Sequence, residues 1–485
     1  MTEGKSVFIR QLRAICGEDM ITDTARLRVY ETDGLTARKQ TPWIVVLPST
    51  VTQVQAIVQL CNAQGIPVVA RGAGTGLSGG AMPHSEGVLL SLAKFNRILE
   101  VNEAELRARV QPGVTNLSIS DAVSHLGLYY APDPSSQIAC TIGGNVAENS
   151  GGVHCLKYGL TVHNVIKLKI VSPAGELYEL GSDAMDAPGF DLLAVMHGSE
   201  GMLGIVVEVT VKLLPKPPAI CVVLAAFAEV EAAATSVGKI IGSGILPAGL
   251  EMMDQLAIEA VEAYVHAGYP TDSAALLLCE LDGNQLELEA QHQKLTGILD
   301  NNGASKIFTA WEETDRLRLW QGRKSAFPAV GRISPDYYCM DGTIPRRELP
   351  QVLTAISELS RTFSLPVANV FHAGDGNLHP LILYDANKQD ELQRAEALGA
   401  RILELCIASG GTITGEHGVG VEKIDQMCIQ FSADELQLFH GVKSSFDEYG
   451  TLNPGKAVPT LSRCAEFGAM HVHSGAEKHP NLERF

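Results

Sequence analysis

The stretch Ile66-Pro-Val-Val-Ala-Arg-Gly-Ala-Gly-Thr-Gly-Leu-Ser-Gly-Gly80 decides which fold this chain adopts. It joins an apolar run, typical of a buried strand, to a glycine-rich loop. Residues 74–79 match Gly-x-Gly-x-x-Gly, the fingerprint of a Rossmann dinucleotide site, but that loop must open a helix. Here residues 81–87 lead into another apolar run at 88–92, which excludes the Rossmann interpretation. The remaining expectation is a loop whose exposed N–H groups contact a pyrophosphate.

Two further loops of this kind follow. The first runs from Pro132-Asp-Pro-Ser-Ser136 through Thr141-Ile-Gly-Gly-Asn145 to Asn149-Ser-Gly-Gly152, and the second is His197-Gly-Ser-Glu-Gly-Met-Leu-Gly204. Each loop alone is also compatible with a plain set of turns. Three such glycine-rich loops in one region favour a large nucleotide cofactor.

The stretch His372-Ala-Gly-Asp-Gly-Asn-Leu-His379 lies between two apolar runs and predicts strand, turn and strand. With residues 374–377 as the turn, His372 stands opposite His379. Directly opposed Cβ atoms are ~5 Å apart, so both imidazoles can reach one divalent metal. Glu416, in Gly415-Glu-His-Gly418, is the candidate third ligand. The alternative is two hairpin histidines bonded to backbone carbonyls.

Length and composition predict two or three soluble domains, because 485 residues exceed one compact core. The net charge of −18 argues against nucleic acid as the main ligand. None of the ten cysteines forms a Cys-x-x-Cys pair, which argues against an iron–sulfur cluster in this chain. Free thiols and the absence of an apolar leader favour the cytoplasm. The apolar run at 219–228 is too short to span a bilayer.

The predicted fold class is α+β, with a proline-rich boundary at 213–218. Residues 1–37 form a helical N-terminal part of the first domain, which continues over 38–217. A second α+β domain covers 218–457. Residues 458–485 form a tail with Cys464, His471 and His473, which we interpret as a docked or mobile segment rather than a metal site.

Taken together, these motifs resemble FAD-linked oxidases of the vanillyl-alcohol-oxidase type, in their D-2-hydroxyacid dehydrogenase branch. The FAD-binding catalytic subunits of bacterial glycolate oxidases are the most similar. The resemblance runs through seven further motifs in order: residues 131–136, 143–145, 157–160, 198–201, 372–379, 415–418 and 453–456.

The resemblance implies a two-part FAD domain and a cap domain that carries the substrate site. It places the cofactor against Arg71, Gly72, Ala73, Gly74, Thr75, Gly76, Leu77, Ser78, Pro132, Asp133, Thr141, Gly143, Gly144, Asn145, Gly151, Gly204, Ile205 and Asn453. Some relatives bind flavin covalently through a histidine in the first loop. This loop has none, so FAD is expected to be non-covalent.

The resemblance also implies roles in the cap domain. It places one divalent metal (zinc, manganese or iron) on His372, His379 and Glu416, the catalytic base at His417 and the substrate carboxylate on Arg323. Without the resemblance, His417 is equally compatible with a core histidine, and Arg323 with a surface arginine.

Three positions depart from the pattern of hydroxyglutarate-specific relatives. Cys339 replaces a lysine, Leu381 an asparagine and Phe327 a threonine. Fewer polar groups remain for a second carboxylate, which favours a short 2-hydroxy acid. Glycolate, oxidised to glyoxylate, is therefore the expected substrate, and D-lactate is also compatible.

Electrons that leave for a quinone need an iron–sulfur carrier that this chain lacks. The resemblance to multisubunit glycolate oxidases implies a second flavin-type subunit and an iron–sulfur subunit, and we expect the complex to be peripheral on the inner face of the cell membrane. The alternatives are a D-lactate or D-2-hydroxyglutarate dehydrogenase acting alone, an oxygen-using oxidase, a non-catalytic FAD relay subunit and a metal-binding module without a redox role.

Overall fold

The first part of the chain builds a small mixed sheet. The computed structural model describes residues 3–184 and 189–466. In the order β1-β2-β4-β3, β2 and β3 run parallel to β4, and β1 is antiparallel to β2. The elements here are α1 (Glu3–Cys16), β1 (Met20–Ile21), α2 (Thr24–Leu27), a 3-10 turn (Arg28–Tyr30), β2 (Ile44–Val46), α3 (Val51–Ala63), β3 (Val68–Arg71) and β4 (Val88–Ser91). The N-terminal piece, predicted to be helical, therefore also contributes an edge strand.

A second, antiparallel sheet follows in the order β5-β6-β10-β8-β9, beside a separate ribbon of β7 and β11. One of its faces is apolar and packed, whereas the other carries exposed or half-buried arginine, lysine and glutamate side chains. The elements are β5 (Ile98–Asn102), β6 (Arg107–Val110), α4 (Asn116–Val123), a 3-10 turn (Ser124–Leu126), β7 (Leu128–Tyr129), α5 (Ile142–Glu148), α6 (Cys155–Tyr158), α7 (Thr161–Asn164), β8 (Val165–Val171), β9 (Leu177–Gly181), α8 (Leu192–Met196), β10 (Ile205–Lys212) and β11 (Leu214–Pro215).

The rest of the described chain forms a seven-stranded antiparallel sheet and its helices. The strands are β12 (Ala219–Phe227), β13 (Gly249–Asp254), β14 (Ala275–Gly283), β15 (Ala304–Ala310), β16 (Asp336–Cys339), β17 (Val367–His372) and β18 (Pro380–Tyr384). The helices are α9 (Val230–Gly242), α10 (Gln255–Val265), α11 (Gln285–Asn301), α12 (Glu313–Lys324), α13 (Ala326–Val330), a 3-10 turn (Arg346–Glu348), α14 (Leu349–Phe363), α15 (Glu391–Ala408), α16 (Ile424–Gln430), α17 (Ala433–Phe446) and α18 (Leu461–Glu466).

This sheet, ordered β15-β12-β14-β13-β17-β18-β16, is covered on both faces. Alternate residues of β12 show the arrangement: Val223 packs into one apolar cluster with α9, α11, α14 and α15. Val222 packs into a second cluster with α10, α12 and α13. A strand buried on both faces reads as a continuous apolar run, which explains the run at 219–228. The prediction of an α+β fold is confirmed.

The prediction of free thiols is wrong for one pair. Cys428 of α16 and Cys464 of α18 form a disulfide, with Cα atoms 5.3 Å apart, and the other eight cysteines are free and buried. The pair is separated by 36 residues in sequence, so only the packing of the two helices brings it together. His471 and His473 of the predicted tail lie outside the described residues. Among residues 3–184 and 189–466, no helix combines the length and apolar character needed to cross a bilayer.

Candidate active site

The two hairpin histidines are neighbours, although the predicted register is wrong. β17 and β18 pair Ala368 with Leu381, and a bridge pairs His372 with Asn377 rather than His379. The difference is two residues, and a two-residue shift leaves a side chain on the same face of its strand. His379 is therefore the diagonal neighbour of His372, and the ring centroids are 5.0 Å apart.

The turn explains the altered register. It spans residues 373–376, and Gly376 adopts a left-handed conformation with φ +82°. A Cβ at Gly376 would lie 2.2 Å from the carbonyl oxygen of Ile344, so no other residue fits. The chain therefore reverses one residue earlier than the four turn-forming residues indicated, with Gly376 packed against Ile344.

The two histidines and Glu416 form a compact donor set. Oε1 of Glu416 lies 3.3 Å from Nε2 of His372 and 3.4 Å from Nε2 of His379. Two ligands of a tetrahedral metal at roughly 2.0–2.1 Å lie about 3.3 Å apart. Nε2 of His379 is buried without a hydrogen-bond partner among the described residues, as expected for a ligand atom. These residues therefore fit a divalent metal.

Glu416 is ionised in this environment. Burial opposes its charge, but His372, followed by His379 and His417, outweighs burial and lowers the pKa of Glu416 to about 2. A carboxylate that stays charged at neutral pH is a suitable metal ligand.

Glu251 on β13 contacts the ring nitrogen of His372 that is not directed at Glu416. It pairs with His372 of β17 in the sheet, and its Oε1 lies 2.8 Å from Nδ1 of His372. Its Oε2 accepts a hydrogen bond of 2.8 Å from Nε of Arg323. Burial opposes the charge of Glu251, but His372 and Arg323 outweigh it and lower the pKa. An Nδ1–H donated to Glu251 leaves Nε2 of His372 free to bind a metal.

Asp341 anchors the loop that carries Glu416. Its Oδ2 accepts hydrogen bonds from the Thr414 hydroxyl at 2.6 Å and from the backbone N–H groups of Gly415 at 3.0 Å and His417 at 2.9 Å. Nζ of Lys423 lies 3.2 Å from the same oxygen, and both side chains are completely buried. Asp341, His379 and His417 also form a cluster of metal-ligand type. In that second cluster, Oδ1 of Asp341 lies 3.4 Å from Nε2 of His379, while Oδ2 is engaged with the loop.

His417 stacks on His379, with ring centroids 4.8 Å apart and ring planes 11° from parallel. Its Nδ1 is buried and has no hydrogen-bond partner among the described residues. Burial, with the nearby cations, lowers the pKa of His417 to about 4 although Asp341 acts in the opposite direction. The imidazole is therefore neutral near pH 7 and able to accept a proton.

A cavity of about 380 Å³ joins these cap residues to the glycine-rich loops, and His379, Glu416 and His417 line it. A Cβ on Gly76 or Gly144 would meet no atom closer than 3.4 Å, so both glycines leave room beside the backbone. A nucleotide that approaches main-chain N–H groups needs such room, and the residues therefore fit FAD. Of the predicted cofactor residues, those lining the cavity are 71–77, Thr141, 143–145 and Gly204.

The other predicted cofactor residues do not line this cavity. Asn453 holds two turns together, because its Nδ2 donates to the carbonyl oxygens of Gly80 at 2.9 Å and Glu200 at 2.6 Å. A Cβ on Gly151 would lie 2.6 Å from Oε2 of Glu416, so that glycine packs against the donor set. The remaining members of this group are Ser78, Pro132, Asp133 and Ile205.

Asp133 instead connects the glycine-rich region to the cap sheet. Its Oδ2 lies 2.8 Å from Nδ1 of His154, whose Nε2 lies 3.0 Å from Oε1 of Glu280 on β14. Burial disfavours the imidazolium, but the carboxylates of Asp133 and Glu280 outweigh it and raise the pKa of His154 well above its usual value. A charged histidine between two carboxylates therefore joins the two parts of the chain.

Arg323 is not at the cavity wall. It is 2% exposed and is paired with Glu251. Its neighbour Lys324 lines the cavity, together with Phe327, one of the three departures noted in the sequence. The other two departures, Cys339 and Leu381, are register partners on β16 and β18, and both are buried.

Sequence reasoning missed Glu251, Asp341, Lys324 and two acidic residues of the cavity. Glu148 and Glu200 line the cavity, and burial raises the pKa of both carboxyls. Glu200 also accepts hydrogen bonds from the backbone N–H groups of Val419 at 2.7 Å and Gly420 at 2.9 Å. Glu148 and Glu200 could have been noticed in the sequence, because each is an acidic residue within a glycine-rich stretch.

Two family models match the chain: a FAD binding domain over residues 42–181 and the C-terminal domain of FAD linked oxidases over 216–457. The chain is 60% identical to glycolate oxidase subunit GlcD of Escherichia coli K12, covering 99% of this chain and 96% of that protein. The present chain belongs to the FAD-linked oxidase family. It is also 39% identical to GlcD of Bacillus subtilis, over 92% and 95% of the two chains. A probable mitochondrial D-lactate dehydrogenase of Danio rerio is 29% identical, over 93% and 91%.

Two solved structures share the fold of this chain. p-Cresol methylhydroxylase with substrate bound superposes with a TM-score of 0.79 at 17% identity, covering 95% of this chain and 98% of that one. Alkyldihydroxyacetonephosphate synthase gives 0.73 at 20% identity, with coverages of 93% and 86%. The predictions of a vanillyl-alcohol-oxidase type fold, of FAD as cofactor and of an FAD-dependent hydroxyacid oxidoreductase are confirmed.

Proposed function

We propose that this FAD-linked oxidase converts glycolate to glyoxylate, with D-lactate as the second candidate substrate. The names of the relatives support this pair of substrates. The observation that carries the proposal is the set of buried His372, buried His379 and half-buried Glu416, which lies beside His417 at the cavity of a FAD-binding chain. A relay subunit needs no such set, so the catalytic interpretation is preferred over a non-catalytic one.

The residues divide the chemistry as follows. His372, His379 and Glu416 hold one divalent metal, which supplies a Lewis acid for the substrate hydroxyl. His417 accepts the hydroxyl proton as general base. Bound FAD would supply the acceptor for the hydride from C2. The hydride and the hydroxyl proton together remove two electrons and two protons as the substrate becomes the 2-oxo acid.

Two further proposals concern how FAD is attached and which metal is bound. The first glycine-rich loop contains no histidine, so we propose that FAD is bound non-covalently and is released by acid denaturation. Two histidines and one carboxylate are compatible with zinc, manganese or iron, because metal availability contributes to the choice as much as affinity does.

The proposed partners are a second flavin-type subunit and an iron–sulfur subunit, which pass electrons toward a quinone on the inner face of the cell membrane. The relatives from Escherichia coli and Bacillus subtilis are named as subunits, which supports an assembly. We also propose a domain boundary at 217/218, since the seven-stranded sheet begins at Ala219. An isolated chain that reduces a quinone analogue as fast as the assembled enzyme would contradict the need for partners.

The deciding experiment is anaerobic titration of the purified chain with glycolate, D-lactate and D-2-hydroxyglutarate, followed by visible flavin absorption. Bleaching by glycolate at the lowest concentration is the expected result, and D-lactate should come second. A protein that binds FAD and metal but is bleached by none of the three would refute the proposed substrate class. Preferential bleaching by D-2-hydroxyglutarate would contradict the argument from Phe327, Cys339 and Leu381.

A further inference from the structure

Two acidic side chains lie side by side in the cavity, next to the loop that carries His417. Glu148 is the last residue of α5, and Glu200 lies in the third glycine-rich loop. The backbone N–H of Glu200 donates to the carbonyl oxygen of Ala147 at 2.8 Å, so this loop packs against the end of α5. A Cβ on Gly418 would lie 2.2 Å from Oε2 of Glu148 and 2.9 Å from Oε1 of Glu200. The two carboxyls are therefore neighbours.

These two carboxyls differ in the partners available to them. Glu200 accepts hydrogen bonds from the backbone N–H groups of Val419 at 2.7 Å and Gly420 at 2.9 Å. Donors of this kind stabilise a carboxylate. Oε2 of Glu148 is buried and has no hydrogen-bond partner among the described residues. Glu200 is therefore equipped to carry a negative charge, and Glu148 is not.

The lysines that act on Glu148 are bound to other groups. Nζ of Lys456 donates to the carbonyl oxygen of Gly80 at 2.8 Å. Nζ of Lys423 lies 3.2 Å from Oδ2 of Asp341. Within residues 3–184 and 189–466, neither ammonium forms an ion pair with Glu148. A charge on Glu148 would therefore lack a direct counter-ion.

Glu148 keeps its proton near neutral pH for these reasons. Burial raises the pKa of Glu148 well above its usual value, and the carboxyls of Glu200 and Asp33 act in the same direction. Lys423 and Lys456 act in the opposite direction without outweighing them. Charging two neighbouring buried carboxyls is costly, so the one without donors stays protonated. A protonated carboxyl has an O–H group to donate.

The Glu148 carboxyl borders the space that receives the cofactor. It lines the cavity together with Gly76 and Gly80 of the first glycine-rich loop and with His417. A Cβ would lie 2.7 Å from its Oε1 on Gly80 and 3.8 Å on Gly76, so the glycines leave this oxygen uncovered. The flavin ring must lie beside the residues that act on the substrate, because hydride transfer requires contact. The ring is therefore the hydrogen-bond acceptor that this end of the cavity receives.

We propose that Glu148 is a neutral hydrogen-bond donor to the flavin ring of FAD and favours the reduced cofactor. This inference rests on the proposed function, which places hydride transfer at this end of the cavity. Reduction adds electron density to the acceptor atoms of the ring, so a donor stabilises the reduced ring more than the oxidised ring. A neutral donor does so without placing a negative charge beside the electron-rich ring.

The test is the midpoint potential of bound FAD, measured by anaerobic equilibration of the purified chain with reference dyes. Glu148→Leu should bind reduced FAD roughly tenfold more weakly relative to oxidised FAD, which lowers the two-electron potential by about 30 mV. Glu148→Gln should remain close to wild type, because the amide also donates. The exposed Glu103, which does not line the cavity, provides the control Glu103→Gln, and its potential should equal that of wild type.

Two results would overturn the proposal. A higher potential in both Glu148 variants would mean that Glu148 is ionised beside the flavin, since removing a negative charge favours the reduced ring. An unchanged potential in Glu148→Leu would mean that the side chain does not contact the ring. The ratio of flavin to protein absorbance checks that each variant has retained FAD.

An infrared difference spectrum between oxidised and chemically reduced protein gives a second readout that needs no apolar variant. The C=O stretch of a protonated carboxyl is distinct from the bands of a carboxylate, and reduction of the flavin should shift the band of Glu148. That band should be present in Glu103→Gln and missing in Glu148→Gln. Identical difference spectra for wild type and Glu148→Gln would overturn the assignment.

Failure of this inference is distinguishable from failure of the proposed function. Neither the dye equilibration nor the infrared measurement contains a 2-hydroxy acid, so both report on Glu148 and FAD alone. A wild-type flavin that glycolate does not bleach would refute the proposed substrate. Bleaching by glycolate with unchanged potential in Glu148→Leu would refute the role of Glu148 and leave the proposed function intact.

Discussion

Glu251 and His372 stand opposite each other on neighbouring strands, and Oε1 of Glu251 lies 2.8 Å from Nδ1 of His372. The sheet therefore holds the carboxylate and the imidazole in one relative position. With Nδ1 directed at Glu251, Nε2 is the ring nitrogen on the side of Glu416, 3.3 Å from its Oε1. The orientation of the proposed metal ligand is thus set by backbone pairing between residues 121 apart in sequence.

Replacing Glu251 with Gln should weaken metal binding roughly 10- to 100-fold, because the support of His372 is lost. Metal content after dialysis against graded chelator measures the effect. The single variant also leaves Arg323 buried without a counter-charge, so the double variant Glu251→Gln/Arg323→Gln serves as a control for folding. Wild-type metal affinity in both variants would contradict the support role.

Replacing His372 with Ala should abolish stoichiometric metal while FAD remains bound, since His372 is not part of the glycine-lined cavity wall. Elemental analysis and the flavin spectrum report the two quantities separately. The exposed His125 gives a matched control, and His125→Ala should keep both. Retention of metal by His372→Ala would remove that residue from the proposed ligand set.

Replacing His417 with Gln should lower the limiting rate of flavin reduction roughly 10²- to 10⁴-fold, because the hydroxyl proton loses its acceptor. Bound metal and the half-saturating glycolate concentration should change little. Rapid mixing under anaerobic conditions measures both kinetic quantities. A limiting rate within a few-fold of wild type would show that another group accepts the proton.

Replacing Asp341 with Asn should reduce the free energy of unfolding by about 3–5 kcal/mol, because Lys423 is left charged in a completely buried site. Urea unfolding of the cap, followed by tryptophan fluorescence, measures the change. The double variant Asp341→Asn/Lys423→Met should lose less, since the buried ammonium is removed together with the carboxylate of Asp341. Equal losses in the two variants would show that the loop hydrogen bonds, rather than the ion pair, carry the stability.

The link through His154 should make stability depend on pH. The folded-state pKa lies well above the unfolded value near 6.5, so the contribution of His154 is complete below about pH 6.5. It is lost as pH rises through the raised folded-state pKa. The difference in melting temperature between wild type and His154→Gln should therefore shrink toward alkaline pH. A difference that stays constant with pH would mean that His154 is neutral between Asp133 and Glu280.

The cofactor loops and the donor residues could be predicted because their signals are local. The first loop is recognisable from the close spacing of its glycines at 72, 74 and 76. The apolar runs on either side of the hairpin predict its strands. The hairpin register was predicted wrongly, because four consecutive turn-forming residues do not show at which of them the chain reverses, and the packing of Gly376 against Ile344 is not visible in the local sequence. Arg323 and Lys324 could not be told apart, because their partners depend on helix packing.

The sequence by itself determined the glycine-rich loops, the exclusion of a Rossmann fold and the spacing of His372, His379, Glu416 and His417. These depend on residue type and on neighbours along the chain. Tertiary structure alone decided that Glu251 supports His372, that Asp341 anchors the Glu416 loop, and that Lys324 rather than Arg323 faces the cavity. Such pairs join distant segments, and burying a charge is tolerated only where packing supplies the partner.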